Sequence, residues 1–132
     1  MRRKVIVALP TVAVLALVAV LSAATPAAAA TGKNGVVEPG EFGLYSLQNQ
    51  QSWVLDLFVS DDNFADDVFP GSTISADNNT ESYWNDDSFW WHVFTGANYT
   101  GSHGCLPPDY RGNASATFKN TISSAYYSSS SC

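Results

Sequence analysis

Hydrophobic and polar positions divide the chain into two unlike parts. From Val5 to Leu21 the run is apolar, broken only by Pro10 and Thr11. After Ala30 long apolar runs vanish, and no stretch of ten or more residues carries apolar positions at i, i+3, i+4 and i+7. Short aromatic and β-branched segments take over, cut by Gly, Asn, Asp, Ser and Pro. That pattern predicts strands and turns rather than helices. Strands are expected from Phe42 to Leu47, Trp53 to Val59, Ser82 to Trp84, Ser88 to Thr95, Thr100 to Leu106 and Ile122 to Tyr127. In the second, alternation puts Trp53, Leu55, Leu57 and Val59 on one face and Val54, Asp56 and Phe58 on the other. An acidic loop, Ser60 to Asp67, follows, then Val68-Phe69 and a turn at Pro70-Gly71. Short strands at this spacing indicate an all-β sandwich or barrel.

The amino-terminal part has a separate meaning. Arg2, Arg3 and Lys4 precede the apolar run, and small residues from Ser22 to Ala30 follow it. Charge, then apolar run, then small residues is the order of a signal peptide. Residues 1–30 are therefore expected to be cleaved after Ala30, with Ala24 as the competing site, leaving a secreted, extracellular protein. Residues 31–39 are expected as a flexible leader and 40–132 as a single domain, acting as a monomer. Cleavage changes the charge. The precursor carries six Lys and Arg against twelve Asp and Glu, a net −6. Three of the basic residues leave with the signal, so Lys33, Arg111 and Lys119 face all twelve acids, a net −9. That field disfavours nucleic acid and anionic membrane surfaces and suits cations or basic protein faces.

Cys105 and Cys132 are the two cysteines. In an exported chain an even pair oxidises. A Cys105–Cys132 disulfide would tie the serine-rich tail to the body, a constraint of about 3 kcal/mol. His103 lies two residues from Cys105 and six from Asp109. Neither spacing matches a known zinc pattern, and no phosphate loop, H-E-x-x-H or G-x-S-x-G motif is present. An enzyme is not expected. The aromatic group Trp84, Phe89, Trp90, Trp91 and Phe94 is expected to fill the core. Adjacent Trp90 and Trp91 face opposite sides, so one of them can meet sugar or a protein partner.

The two halves of the exported part resemble each other. An opening aromatic, Tyr45 or Phe94, is followed by a closing segment, Asn78-Asn79-Thr80-Glu81-Ser82-Tyr83 or Lys119-Asn120-Thr121-Ile122-Ser123-Ser124. Phe94-Thr95-Gly96-Ala97-Asn98-Tyr99-Thr100-Gly101 resembles the βγ-crystallin Greek-key signature: an aromatic, a second aromatic and then a glycine. In the first half Gln50 and Ser52 stand where that aromatic and glycine belong. The resemblance implies a βγ-crystallin-like sandwich of two Greek-key motifs. Phe94, Tyr99 and Gly101 would form a folded hairpin, closed by a serine from the end of the unit, Ser82 or Ser123. The closing segments resemble the family's calcium motif, which points to Asn78, Asn79, Ser82, Asn120, Ser123 and Ser124 as calcium ligands. The motif is incomplete, because Tyr83 and Lys119 replace expected residues. Asn and Ser at turns also satisfy local backbone groups without a metal.

Gly40-Glu41-Phe42-Gly43-Leu44-Tyr45, the two closing segments and Phe94 to Gly101 occur in an order that resembles a secreted actinobacterial peptidase-inhibitor family with a βγ-crystallin-like fold. Its founding activity is inhibition of metalloproteinases. Gly43 stands where relatives often carry a cysteine. The resemblance implies a stoichiometric inhibitor of an extracellular protease that needs no cofactor, with the acidic loop 60–67 as a candidate contact surface. The alternative is a calcium- or carbohydrate-binding module of the same fold without inhibitory activity.

Overall fold

The computed structural model describes residues 29–132, so the expected signal peptide falls almost wholly outside the described residues. Seven strands form: β1 (Phe42–Leu47), β2 (Gln51–Leu57), β3 (Ser82–Asn85), β4 (Trp90–Gly96), β5 (Thr100–Leu106), β6 (Arg111–Asn113) and β7 (Ser124–Ser128). A 3-10 turn at Phe64–Asp66 is the one helical element among the described residues. The strands make two antiparallel sheets, ordered β2-β1-β3-β6 and β5-β4-β7.

These orders reveal an exchange between the halves. β1, β2 and β3 come from the first half, yet β6 of the second half completes their sheet by pairing with β3. The second sheet receives the reciprocal strand in minimal form. Asp61, from the acidic loop, makes an isolated antiparallel bridge to Ala125 of β7. Each half thus contributes three strands to its own sheet and one crossing segment to the other, the arrangement of two interlocked Greek keys. Arg111-Gly112-Asn113 reads as a turn by composition, and only its partner β3 makes it a strand.

The core lies between the sheets. Phe42, Leu44, Leu55, Leu57 and Tyr83 of the first sheet meet Trp91, Val93, Leu106 and Ala125 of the second. Phe64, Phe69, Ala76 and Ile122 enter from the loops. Trp91 is fully buried and stacks on Phe42 with ring centroids 4.9 Å apart, while Trp90, facing the other way, is half-buried. Each such aromatic contributes on the order of 2–3 kcal/mol by burial. Of the expected apolar face, Trp53 lies exposed within β2 and Val59 lies exposed beyond its end, since the strand runs Gln51–Leu57 rather than Trp53 to Val59.

The 31–39 segment, expected as a leader, lies on the first sheet and is tied to it through Asp56. The Asp56 carboxylate accepts from the main-chain N–H groups of Asn34 (2.9 Å) and Gly35 (2.6 Å), and Lys33 N–H donates to Asp56 O at 2.7 Å. A carboxylate among the apolar residues of β2 is thereby satisfied while fully buried. The same segment accounts for Gly43. A Cβ at 43 would collide with Val37 Cγ2 and crowd Tyr45 and Val54 at 3.1 and 3.2 Å, so the leader fills the space a larger side chain would take.

Candidate functional site

Both hairpins fold back in the same way. In the second, Phe94 and Tyr99 meet edge to face at 5.8 Å, and Asn98, Tyr99 and Gly101 have φ of +56°, +57° and +83°. In the first, Asn49, Gln50 and Ser52 have φ of +59°, +54° and +69°. The backbone is retained although the aromatic and the glycine are gone. A serine holds each one. Ser82 Oγ donates to Leu47 O (2.6 Å) and accepts from Gln50 N–H (2.9 Å). Ser124 Oγ donates to Gly96 O (2.6 Å) and accepts from Tyr99 N–H (3.1 Å). The closing serine of the second half is therefore Ser124, not Ser123. Matching Asn79 to Asn120 put the sequence alignment one residue out of step. Asn78 and Asn120 are the equivalent pair, with φ of +58° and +56°.

That correction rearranges the expected calcium ligands. Ser82 and Ser124 are committed to the hairpins. Asn79 Nδ2 donates to Ser75 O and Asp77 O at 2.8 and 3.2 Å, a local turn use. Two cross-motif pairs remain. Ser123 Oγ donates to Asn78 Oδ1 at 3.2 Å, and Asn120 Nδ2 donates to Glu81 Oε1 at 3.2 Å. At the second pair Lys119 Nζ stands 3.9 Å from Glu81 Oε2, so an internal cation already serves that carboxylate. At the first, the neighbouring Asp77 keeps a buried Oδ1 with no hydrogen-bond partner.

The acidic loop turns two of its four carboxylates, Asp61 and Asp67, inward, while Asp62 and Asp66 stay exposed. Phe64 plugs into the core, Asn63 caps the 3-10 turn by accepting from Ala65 N–H, and Lys33 Nζ bridges Asp61 (2.7 Å) and Asp67 (2.8 Å). Burial and the facing Asp61 raise the Asp67 carboxyl to about 6. Burial also acts on Asp61, but hydrogen bonds from Lys33 and Asp67 outweigh it and hold that carboxyl below its ordinary value. The two carboxyls titrate as one coupled dyad.

What the loop leaves exposed is its entry. Phe58 and Val59, which the strand pattern absorbs into β2, stand 50% and 59% exposed, with Phe89 (41%) and Tyr127 (42%) beside them. These four residues, with Gly40 and Asp87, line a shallow groove of about 200 Å³. A second hollow of about 210 Å³, lined by Gly32, Lys33 and Leu57, flanks the other side of the Phe58-Val59 ridge. Four large apolar side chains gathered on the surface are the usual mark of an interaction site. The ridge is braced at both ends. Leu57 is buried in β2. Asp61 exchanges two main-chain hydrogen bonds with Ala125, at 2.8 and 2.9 Å, and Ser60 Oγ accepts from Tyr127 N–H. The rim is braced too. Asp87 accepts from Trp91 Nε1 (3.0 Å), and Asn85 Nδ2 donates to Phe89 O (2.9 Å). Trp84, expected in the core, is half-buried and carries the Arg111 guanidinium 4.0 Å over its ring.

A family model described as peptidase inhibitor family I36 matches residues 36–106, more than half of the chain. The chain belongs to that family. The inhibitor family is defined by blocking a peptidase rather than by catalysis, and the protein is not an enzyme. The matched region contains the Phe58-Val59 ridge, the acidic loop and the Phe94–Gly101 hairpin. No curated protein matches the chain. Solved structures support the fold of this inhibitor-family chain. A chain from work on the evolution of the eye-lens βγ-crystallin domain fold is 17% identical, with TM-score 0.58, covering 68% of this chain and 86% of that one. The N-terminal domain of Protein S is 16% identical, with TM-score 0.53, covering 70% and 99%. A βγ-crystallin domain from Clostridium beijerinckii, in a doubly substituted form, is 14% identical, with TM-score 0.55, covering 68% and 98%. The I36 chain is thus an all-β protein of βγ-crystallin type, with the Cys105–Cys132 disulfide formed.

Proposed function

We propose that the protein is a secreted inhibitor that blocks an extracellular metallopeptidase by forming a stoichiometric complex through the Phe58-Val59 ridge. The observation that carries this reading is the braced exposure of the ridge. A short apolar bend, fixed at both ends and flanked by hollows, loses little conformational freedom when it enters a cleft. Among the described residues, no turn or loop hydrogen bond engages the main chain of Phe58 or Val59, which leaves their backbone groups available to pair with a cleft edge. The inhibitor family supports a peptidase as partner. The metallopeptidase class rests on the resemblance of the Gly40–Tyr45 and closing segments to metalloproteinase inhibitors. The surplus of carboxylates suits a cleft made electropositive by a bound divalent cation. Export rests on the charge, apolar and small-residue order of the first thirty residues.

Titration of a thermolysin-like metallopeptidase with the mature protein tests the reading. Activity is expected to fall linearly to an end point of one inhibitor per enzyme. Phe58→Asp and Val59→Asp are each expected to weaken inhibition by about 30-fold or more, the equivalent of a 2 kcal/mol hot spot. Undiminished activity across several metallopeptidases, or full inhibition by both variants, overturns it.

A calcium reading has one observation in its favour, the unpartnered buried oxygen of Asp77 beside the Asn78–Ser123 pair. Asp77, Asn78 and Ser123 supply the oxygen chemistry that calcium takes. The ion would act by stabilising the loop, and it predicts a rise in Tm with millimolar calcium that Asp77→Ala abolishes. An unchanged Tm removes it.

A further inference from the structure

The histidines and cysteines, unpromising by spacing, converge in space. β4 pairs with β5 in the register that sets His92 opposite Cys105 and Phe94 opposite His103. His103 and Cys105 are two apart on β5, so they share a face. β7 pairs with β4 on the other side, with Tyr126 opposite His92, and the chain then returns Cys132 to the same face. The ligand-capable atoms of His92, His103, Cys105 and Cys132 all lie within 4.8 Å of one another.

We propose that reduction of the Cys105–Cys132 disulfide converts this cluster into a tetrahedral zinc site of two histidines and two cysteines. A zinc ion with Zn–N near 2.0–2.1 Å and Zn–S near 2.3 Å sets its ligands about 3.3 Å apart for N and N, 3.5 Å for N and S and 3.8 Å for S and S. The structure places His92 Nδ1 2.7 Å from His103 Nε2 and 3.3 Å from Cys105 Sγ. His103 Nε2 is 3.7 Å from Cys105 Sγ and 3.8 Å from Cys132 Sγ. The two nitrogens must move apart by about 0.6 Å and the two bonded sulfurs by more, and Cys132 is exposed. Once the bond opens, small shifts of the tail separate them.

The imidazoles are oriented for the task. His92 Nε2 lies 2.9 Å from Ser130 O, a carbonyl that can only accept, so Nε2 carries the proton and Nδ1 presents its lone pair to the cluster. This is the outer hydrogen bond that fixes a metal-binding histidine. His92 is stacked between Tyr126 (4.6 Å) and His103 (5.0 Å), and His103 stacks on Phe94 at 4.6 Å. The reaction balances in two steps. A dithiol delivers two electrons and two protons to the sulfur–sulfur bond and becomes a disulfide itself. Zinc then binds both sulfurs as thiolates and releases two protons to solvent.

Cobalt(II) is the probe. The metal-free protein, reduced with a phosphine and freed of it, is titrated with cobalt and then with zinc. The reduced protein is expected to take up one cobalt, with the intense visible bands and thiolate charge-transfer band of tetrahedral sulfur coordination. Zinc displaces the cobalt, and two protons are released per zinc. The oxidised protein gives none of this. His103→Ala, at an exposed position, and Cys132→Ser, at the chain end, spare the core and are each expected to lower zinc affinity by more than the roughly 10–100-fold typical of an outer-shell loss. The near-ultraviolet dichroism of Trp91 monitors the fold. Tetrahedral spectra unchanged in either variant overturn the proposal. So does a reduced protein with no sulfur coordination, or one whose lost tertiary signal zinc does not restore.

Discussion

Ser123 and Ser124 are neighbours that differ by one hydroxyl environment, and replacing each with alanine separates the two possible registers of the second Greek key. Ser124 is fully buried and makes two hydrogen bonds to the main chain of the Phe94–Gly101 hairpin, at 2.6 and 3.1 Å. Its removal takes from Gly96 C=O and Tyr99 N–H the hydroxyl that serves both. A buried group orphaned in this way costs about 1–3 kcal/mol. The hairpin lies at the surface, and Tyr99 is itself exposed. Water therefore recovers part of the loss, and the expected cost of Ser124→Ala is about 2–3 kcal/mol. The Ser123 hydroxyl makes a single bond of 3.2 Å, to the exposed Asn78. Its loss is expected to cost under about 1 kcal/mol. Urea unfolding with the disulfide intact, followed by tryptophan fluorescence, measures both through the midpoint at constant m. Hydrogen exchange gives the local readout: the Tyr99 amide should lose protection in Ser124→Ala and keep it in Ser123→Ala. A larger loss for Ser123→Ala than for Ser124→Ala would refute the register.

Ser52→Gly is expected to raise stability by about 1 kcal/mol, since a side chain at φ +69° carries a left-handed penalty that glycine escapes; calorimetry of the variant checks it. Gly101→Ala moves the other way, by about 2 kcal/mol or more, because the added Cβ strikes Thr95 Oγ1 and crowds Gly96 N at 3.1 Å. The Asp67 carboxyl, raised to about 6, binds its proton more tightly folded than unfolded. Its contribution is complete below about pH 4 and is lost as the pH rises through 6, so Asp67→Asn should flatten the stability profile across that interval in a series of urea titrations. Glu41, raised above its ordinary value by burial, has the same sign, and Glu41→Gln should likewise remove a decline of stability with rising pH.

What was legible in the sequence was what local chemistry determines. Alternation and turn residues placed β1 and β5 to the residue, while the folded hairpin at Phe94, Tyr99 and Gly101 came only from the resemblance to the Greek-key signature. The even pair of cysteines foretold the disulfide. Partner-dependent features were not legible. Arg111–Asn113 is a strand only because β3 lies beside it, and Asp61 joins the second sheet through one bridge inside a run that composition marks as loop. Ser124 replaced Ser123 because hydrogen bonds, not residue identity, set the register. The His92–Cys105 pairing depends on which residues face each other across β4 and β5. Spacing along the chain carries no trace of it.

The two Greek keys close by different means, and this bears on where a partner is met. The second is locked several times over: Phe94 against Tyr99, glycine at the +83° position, Ser124, and the disulfide at the end of β5. The first has lost the aromatic and the glycine and relies on Ser82, with Asn113 Oδ1 accepting from Asn49 N–H at 2.7 Å. Its crossing segment is nonetheless held, because the second half grips it: Ala125 at Asp61, Ser123 O at Phe64 N–H, and Asp62 O at Asn98 N–H. Rigidity is thus borrowed from the well-determined half, and the ridge of the degenerate half sits beside Phe89 and Tyr127 of its neighbour. A partner seated there contacts both halves at once. Loosening the second hairpin, as in Ser124→Ala, should therefore weaken peptidase binding at the ridge, although neither Ser124 nor the hairpin lines it. The ratio of inhibition constants for Ser124→Ala and Ser123→Ala measures that coupling, and a ratio of one would mean that the ridge is rigid on its own.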